Sequence, residues 1–113
     1  MRPEDQLRLR HMLDAAQLAT EFARLHDRRD LVSEALETHG VVRLLEVVGE
    51  AAARVSPECR AEIPAIPWSA VVSMRNRLIH GYFDLDLDVV WATLVDDLPP
   101  LIAILQESLR DAS

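Results

Sequence analysis

The chain has no lysine. Its basic residues are twelve arginines, set against nineteen acidic residues, for a net charge of −7. An all-arginine basic set reflects compositional bias and is not by itself a sign of RNA binding. The acidic balance excludes a general nucleic-acid-binding surface, which carries a basic footprint; any contact with RNA has to be local, near Arg75 and Arg77. It suits a basic protein partner equally well. Cysteine is nearly absent: with Cys59 alone, neither an intrachain disulfide nor a Cys-based zinc site is available. Aromatic residues make up only 4% while half the chain is hydrophobic, so the core is built from Leu, Val, Ile and Ala. That composition favours helices packed on helices over a sheet. No apolar run approaches the ~18 residues that suggest a membrane span. The start, Met1-Arg2-Pro3-Glu4-Asp5, is polar and acidic rather than a signal peptide, and a cytoplasmic location is expected.

What is present reads as one domain over residues 1–113. A first helix is predicted over residues 4–26, with Leu7, Met12, Leu13, Ala16, Ala19, Phe22 and Ala23 at helical spacing. A charged connection, His26 to Asp30, follows. A second helical region runs from about 30 to 55, opened by Leu31, Val32, Ala35 and Leu36, with Gly40 as a potential interruption. From Val41 to Ala53 it is apolar on more than one face, which predicts burial on two sides, the second at a subunit interface. Ser56-Pro57 reads as an N-cap followed by proline at the first helical position. A third helix is predicted from near Pro67 to Gly81. A last one runs over residues 86–109, its start crowded by Asp84, Asp86 and Asp88 and its course kinked at Pro99-Pro100.

The densest chemistry lies in Arg75-Asn76-Arg77-Leu78-Ile79-His80-Gly81-Tyr82. Arginine keeps its charge and forks onto phosphate oxygens, while histidine exchanges protons near neutrality. Together they suit phosphodiester chemistry: one stabilises charge on the phosphoryl oxygens, the other moves a proton. His80 is expected in the last helical turn, where the helix dipole favours its charged form and the nearby arginines oppose it. On a straight helix, side chains five residues apart diverge by ~140°. Either the helix unwinds before Gly81 or a second subunit completes the site. Asn76 would orient a phosphate or cap a carbonyl.

Glu46 and Glu50 share a helix face. Two carboxylates without a matching Glu/His helix are insufficient for a di-metal site, so a solvated or arginine-paired role is favoured, pairing with Arg75 or Arg77 would help to hold those cations, and no metal or cofactor is expected. His11, His26 and His39 are scattered and read as solvent-facing. Trp68 and Trp91 read as packing residues.

Arg75-x4-His80-x-Tyr82 resembles the signature of HEPN-domain proteins, in particular the HepT-like toxins (domain-of-unknown-function family 86). Three further blocks carry the likeness in the same order: Leu44 to Ala52 with its Glu-x3-Glu pair, Ile66-Pro67-Trp68, and Asp96-Asp97-Leu98-Pro99-Pro100-Leu101. The resemblance implies an all-α, up-and-down bundle of four to five helices. It also implies a homodimer with its motifs facing a shared cleft. The implied function is that of a toxin in a toxin–antitoxin pair, a metal-independent endoribonuclease acting on RNA, not DNA, and away from membranes. Arg75 and His80 would be catalytic, with Asn76 and Arg77 in support. The partner implied is a minimal nucleotidyltransferase antitoxin that attaches AMP to Tyr82. The acidic net charge keeps a second reading open: a non-catalytic helical dimer that binds such a partner, or a nucleotide, through the motif cleft.

Overall fold

The computed structural model describes residues 1–81 and 84–112. Among these residues the protein is all-α apart from one minimal strand pair. Helix α1 (Pro3–Leu25) begins with proline at its first turn and acidic Glu4 and Asp5 beside it, residue types that match the free N–H groups and positive pole of a helix start. Its stripe of Leu9, Met12, Leu13, Ala16, Ala19 and Phe22 is buried, as the periodicity predicts. Leu7 departs from that expectation and is half exposed.

Helix α2 (Leu36–Ala53) starts later than expected. Leu31 is buried in the preceding loop, whereas Leu36 is almost fully exposed. Thr38, itself buried, accepts a hydrogen bond from the Val32 N–H and ties that loop to the first turn. Gly40 does not interrupt α2. The two-sided burial of α2 is real, but its cause lies within the chain. One side meets α1, and α4 (Trp68–Val72) and α5 (Met74–Leu78) cover the other. A Cβ on Gly49 would stand 3.0 Å from the Val71 carbonyl oxygen, so glycine permits this close approach. The second apolar side of α2 therefore does not itself argue for a subunit interface.

Ser56 caps α3 (Pro57–Glu62) as read from the sequence. Its hydroxyl accepts from the Cys59 N–H and donates to Asp5, while its own N–H also donates to Asp5. One buried carboxylate thus joins the start of α1 to the start of α3. Arg60 reaches back to the carbonyls of Ala52, Ala53 and Val55, at and just beyond the end of α2, where carbonyls lose their usual partner four residues on. Trp68 packs against the core and donates its indole N–H to the Ile63 carbonyl; it and the half-buried Trp91 are packing residues, as expected.

The predicted third helix is broken and short. The Ser73 hydroxyl bonds back to the carbonyls of Ser69 and Ala70, a competing interaction that disturbs helix continuation, and α4 gives way to α5 there. Helix α5 ends at Leu78. Ile79–His80 (β1) then pairs antiparallel with Asp84–Leu85 (β2). Gly81 has φ of 79°, a conformation glycine adopts at little cost. It therefore serves a turn between strands rather than a helix end.

Asp86 caps α6 (Leu87–Ala92). A π-helical turn, Thr93–Asp97, connects α6 to α7 (Leu98–Asp111). The Leu98 N–H reaches Thr93. Pro99 and Pro100 have no N–H and their rings crowd the carbonyls of the turn before; the wider turn absorbs both problems without ending the helix. Val90, Leu94, Leu98, Leu101 and Leu105 are buried along this run, whose π-helical turn and α7 pack against α1.

Candidate active site

Arg75, Asn76 and Arg77 lie on α5, and all three are exposed. Residues two apart on a helix lie roughly 200° apart, so the two arginines face different neighbours. The Arg75 Nε bonds to the Glu46 carboxylate of α2 at 3.2 Å. That bond uses one N–H of the fork and leaves the terminal amino groups without a partner among the described residues. Glu46 is mostly buried and also stands 3.9 Å from Arg43. Exposed ion pairs contribute less than about 1 kcal/mol, so the value of Glu46 lies in aiming Arg75. Glu50 does not share that role: it pairs with Arg43 at 2.9 Å. Of the two carboxylates read as cation-orienting, only Glu46 reaches the motif. Arg77 turns the other way, to Asp97 at 3.3 Å, on the edge of a 410 Å³ groove between α4, α5 and α7.

His80 stands on β1 rather than in a last helical turn, so the helix-dipole argument does not apply to it. Its side chain is 59% exposed, with Nε2 3.2 Å from Asp86 Oδ2. The other Asp86 oxygen accepts from the Val89 N–H, and the Asp86 N–H donates to the Leu78 carbonyl. Two bonds thus fix the carboxylate and a third fixes the Asp86 backbone. The hydrogen bond from His80, then that from Val89, hold the Asp86 carboxyl below the usual carboxylate range, against the opposing effect of burial. An ionised carboxylate only accepts hydrogen bonds. Nε2 must therefore carry the proton, and in the neutral ring the lone pair sits on Nδ1. That tautomer presents Nδ1 as the base.

The helix does unwind before Gly81, one of the two routes open to a motif whose side chains diverge on a straight helix: it stops at Leu78, between Arg75 and His80. Each is then anchored by a carboxylate from a different element. Tyr82 lies outside the described residues. Sequence reasoning missed Asp86 and Asp97 as partners of the motif. The available signal for Asp86 was its place as an N-cap immediately before an apolar helical run.

Comparison with known proteins bears on this arrangement. The family model described as ribonuclease HepT-like matches residues 12–108. The chain is similar to a protein of Thermococcus cleftensis named "Probable ribonuclease HepT", 34% identical over 93 residues that cover 82% of this chain and 84% of the relative. It is also similar to a "Putative RNase" of Methanocaldococcus jannaschii, at 31% over 90 residues, 80% of this chain and 83% of that protein. A third relative, a "Putative RNase" of Caldanaerobacter subterraneus, is 30% identical over 102 residues, covering 90% and 91%. No solved structure matches the chain.

Proposed function

The chain belongs to the HepT-like ribonuclease family, and from that premise we propose that it is the toxin of a toxin–antitoxin pair, cutting RNA through Arg75 and His80. The observation that carries this reading is the pair of exposed motif side chains, each steadied by its own carboxylate: Arg75 by Glu46 and His80 by Asp86. His80 takes the proton from a ribose 2′-OH. The freed oxygen attacks the adjacent phosphorus, the 5′-oxygen leaves and takes a proton from water, and a cyclic phosphate remains. Arg75 binds the non-bridging oxygens as their charge grows. The nucleophile belongs to the substrate, so this step calls for no metal-bound water. Asn76, exposed on the same short helix, positions the scissile phosphate. The active form is a homodimer whose two motifs share a cleft. The test is cleavage of RNA by wild type against His80→Ala, with the ends of the products identified. Equal cleavage by the variant removes the assigned roles.

Regulation follows from Tyr82, two residues beyond His80. A nucleotidyltransferase partner transfers AMP from ATP to the phenol oxygen and releases pyrophosphate. The added phosphate competes with substrate for the motif cations. Tyr82→Phe should stay folded and toxic yet escape neutralisation, with adenylyl mass increments on wild type only. Unmodified wild type beside an active partner would leave occlusion within a complex as the mode of silencing.

A further inference from the structure

The arginines sort into two groups by what holds them. Most are tied to a carboxylate or, for Arg60, to carbonyls and the face of Trp68. Among the described residues, the side chains of Arg8, Arg10, Arg54 and Arg110 have no such partner. In a chain of net charge −7, an unpaired arginine is conspicuous, because acids are in excess and within reach of most surfaces.

Two of the four lie in one place. Arg8 and Arg54 line a 240 Å³ cleft between α1 and α2 together with His11, Arg43, Val47 and Glu50. That cleft connects to the motif. Positions 43, 46, 47, 50 and 54 recur at helical spacing and form one stripe along α2. Glu46, on this stripe, holds Arg75 on one side and stands beside Arg43 on the other. The stripe rises over ~16 Å, at 1.5 Å per residue. Along it, four arginines (8, 43, 54 and 75) stand against two glutamates, and both glutamates are occupied by Arg43 and Arg75. The locally basic surface that an acidic ribonuclease needs is therefore continuous with its phosphate-binding arginine.

We propose that this α1–α2 strip is the track for the RNA backbone beyond the scissile phosphate, with Arg8 and Arg54 each binding a phosphate of the single strand. The inference rests on the ribonuclease reading of Arg75 and His80. The mixed charge of the strip limits it to a few phosphates. Binding should then be modest in strength and depend on chain length.

The test measures binding of a labelled single-stranded RNA of about 12 nucleotides, within the usual 4–16 nucleotide footprint, to His80→Ala protein at about 50 to 200 mM salt. Adding Arg8→Gln and Arg54→Gln should make the slope of log affinity against log salt shallower by about 1.4, at ~0.7 for each lost phosphate contact on a single strand. The control carries the same change of charge elsewhere. Arg10→Gln with Arg110→Gln alters the two unpaired arginines of a separate cleft between α1 and α7, beside Gln17 and Gln106; it should leave the slope unchanged. Equal slopes for the two double variants overturn the track and reduce the effect to net charge. An unchanged slope with a changed sedimentation mass would also overturn it, and make the strip a protein contact. Cleavage of the same RNA by otherwise wild-type protein is measured in parallel. Its absence sinks the nuclease reading, while the slope still decides whether phosphates meet Arg8 and Arg54.

Discussion

The contact between α1, α2 and α7 and the segment over residues 73–80 are built by different forces. The first is a continuous apolar cluster, with Leu9, Met12, Leu45 and Leu105 fully buried on helices of 14 to 23 residues. Burying one such side chain stabilises by about 1.5–3 kcal/mol, so apolar packing dominates this contact. The second consists of a five-residue helix and a two-residue strand, too short to persist alone. Met74 and Leu78 pin it to the core, and its charged side chains are held from three separate elements by Glu46, Asp97 and Asp86. The core resists change in shape, whereas the site resists change in charge.

That contrast breaks most sharply at the motif. His80→Ala should lower RNA cleavage by about 10²–10⁴-fold, the range of a lost general base. Arg75→Ala should lower it by about 10²–10³-fold, as for a lost charge-stabilising donor. Both side chains are exposed, so thermal unfolding should be unchanged. A variant that unfolds would move its residue to the structural side of the comparison.

The converse change is Leu105→Ala on α7. Leaving a cavity where a fully buried leucine stood should destabilise by about 3 kcal/mol, read from denaturant midpoints. Cleavage per folded molecule should stay at the wild-type level. A loss of activity in fully folded protein would mean that core and site are coupled more tightly than their contacts indicate.

Asp5 tests the one buried charge among the described residues. Asp5→Ala removes the acceptor for both Ser56 donors and should cost about 2 kcal/mol at neutral pH. The hydrogen bond from the Ser56 backbone N–H is the main reason the Asp5 carboxyl titrates below its ordinary 3.8, with burial opposing it. A carboxyl lowered by folding contributes stability above its unfolded value, and that stability is lost as pH falls through the folded value. The gap between wild type and variant should therefore be full above pH 3.8 and narrow as pH falls through the lower folded value. A gap independent of pH would show that packing, not the charge, accounts for the loss.

The smallest effect expected is that of Asp86→Asn. Asparagine serves as well as aspartate at an N-cap, so α6 should keep its start. The amide no longer enforces a proton on Nε2 of His80, and kcat should fall by about tenfold, less than loss of the base itself. Unchanged KM with lowered kcat would place Asp86 with the site. Lowered stability with unchanged kcat would place it with the fold.

Much of the scaffold was legible because helical periodicity is a local property. The apolar stripes of α1 and α7, the Ser56 cap of α3 and the packing roles of Trp68 and Trp91 could each be read from neighbours a few residues away. The site was legible in its residue types and in its likeness to a family, but not in its geometry. Helix propensity extended α5 through His80, because nothing local announces that Ser73 turns its hydroxyl back on the chain or that Ile79 will pair with Leu85. The two-faced apolarity of α2 was also read correctly, yet sequence could not tell whether α4 and α5 or another subunit would cover it.

The sequence by itself determined that this protein is helical and that it belongs with the HepT-like ribonucleases. Those follow from composition, short-range spacing and shared motifs, which act along the chain. Only the tertiary structure decided that Glu46 rather than Glu50 holds Arg75, that Asp86 sets the proton on His80, and that Arg8 and Arg54 meet in one cleft. These placements bring together side chains up to 46 residues apart, and no local rule fixes them. They depend on how closely the helices approach, which Gly49 permits and the buried leucines enforce.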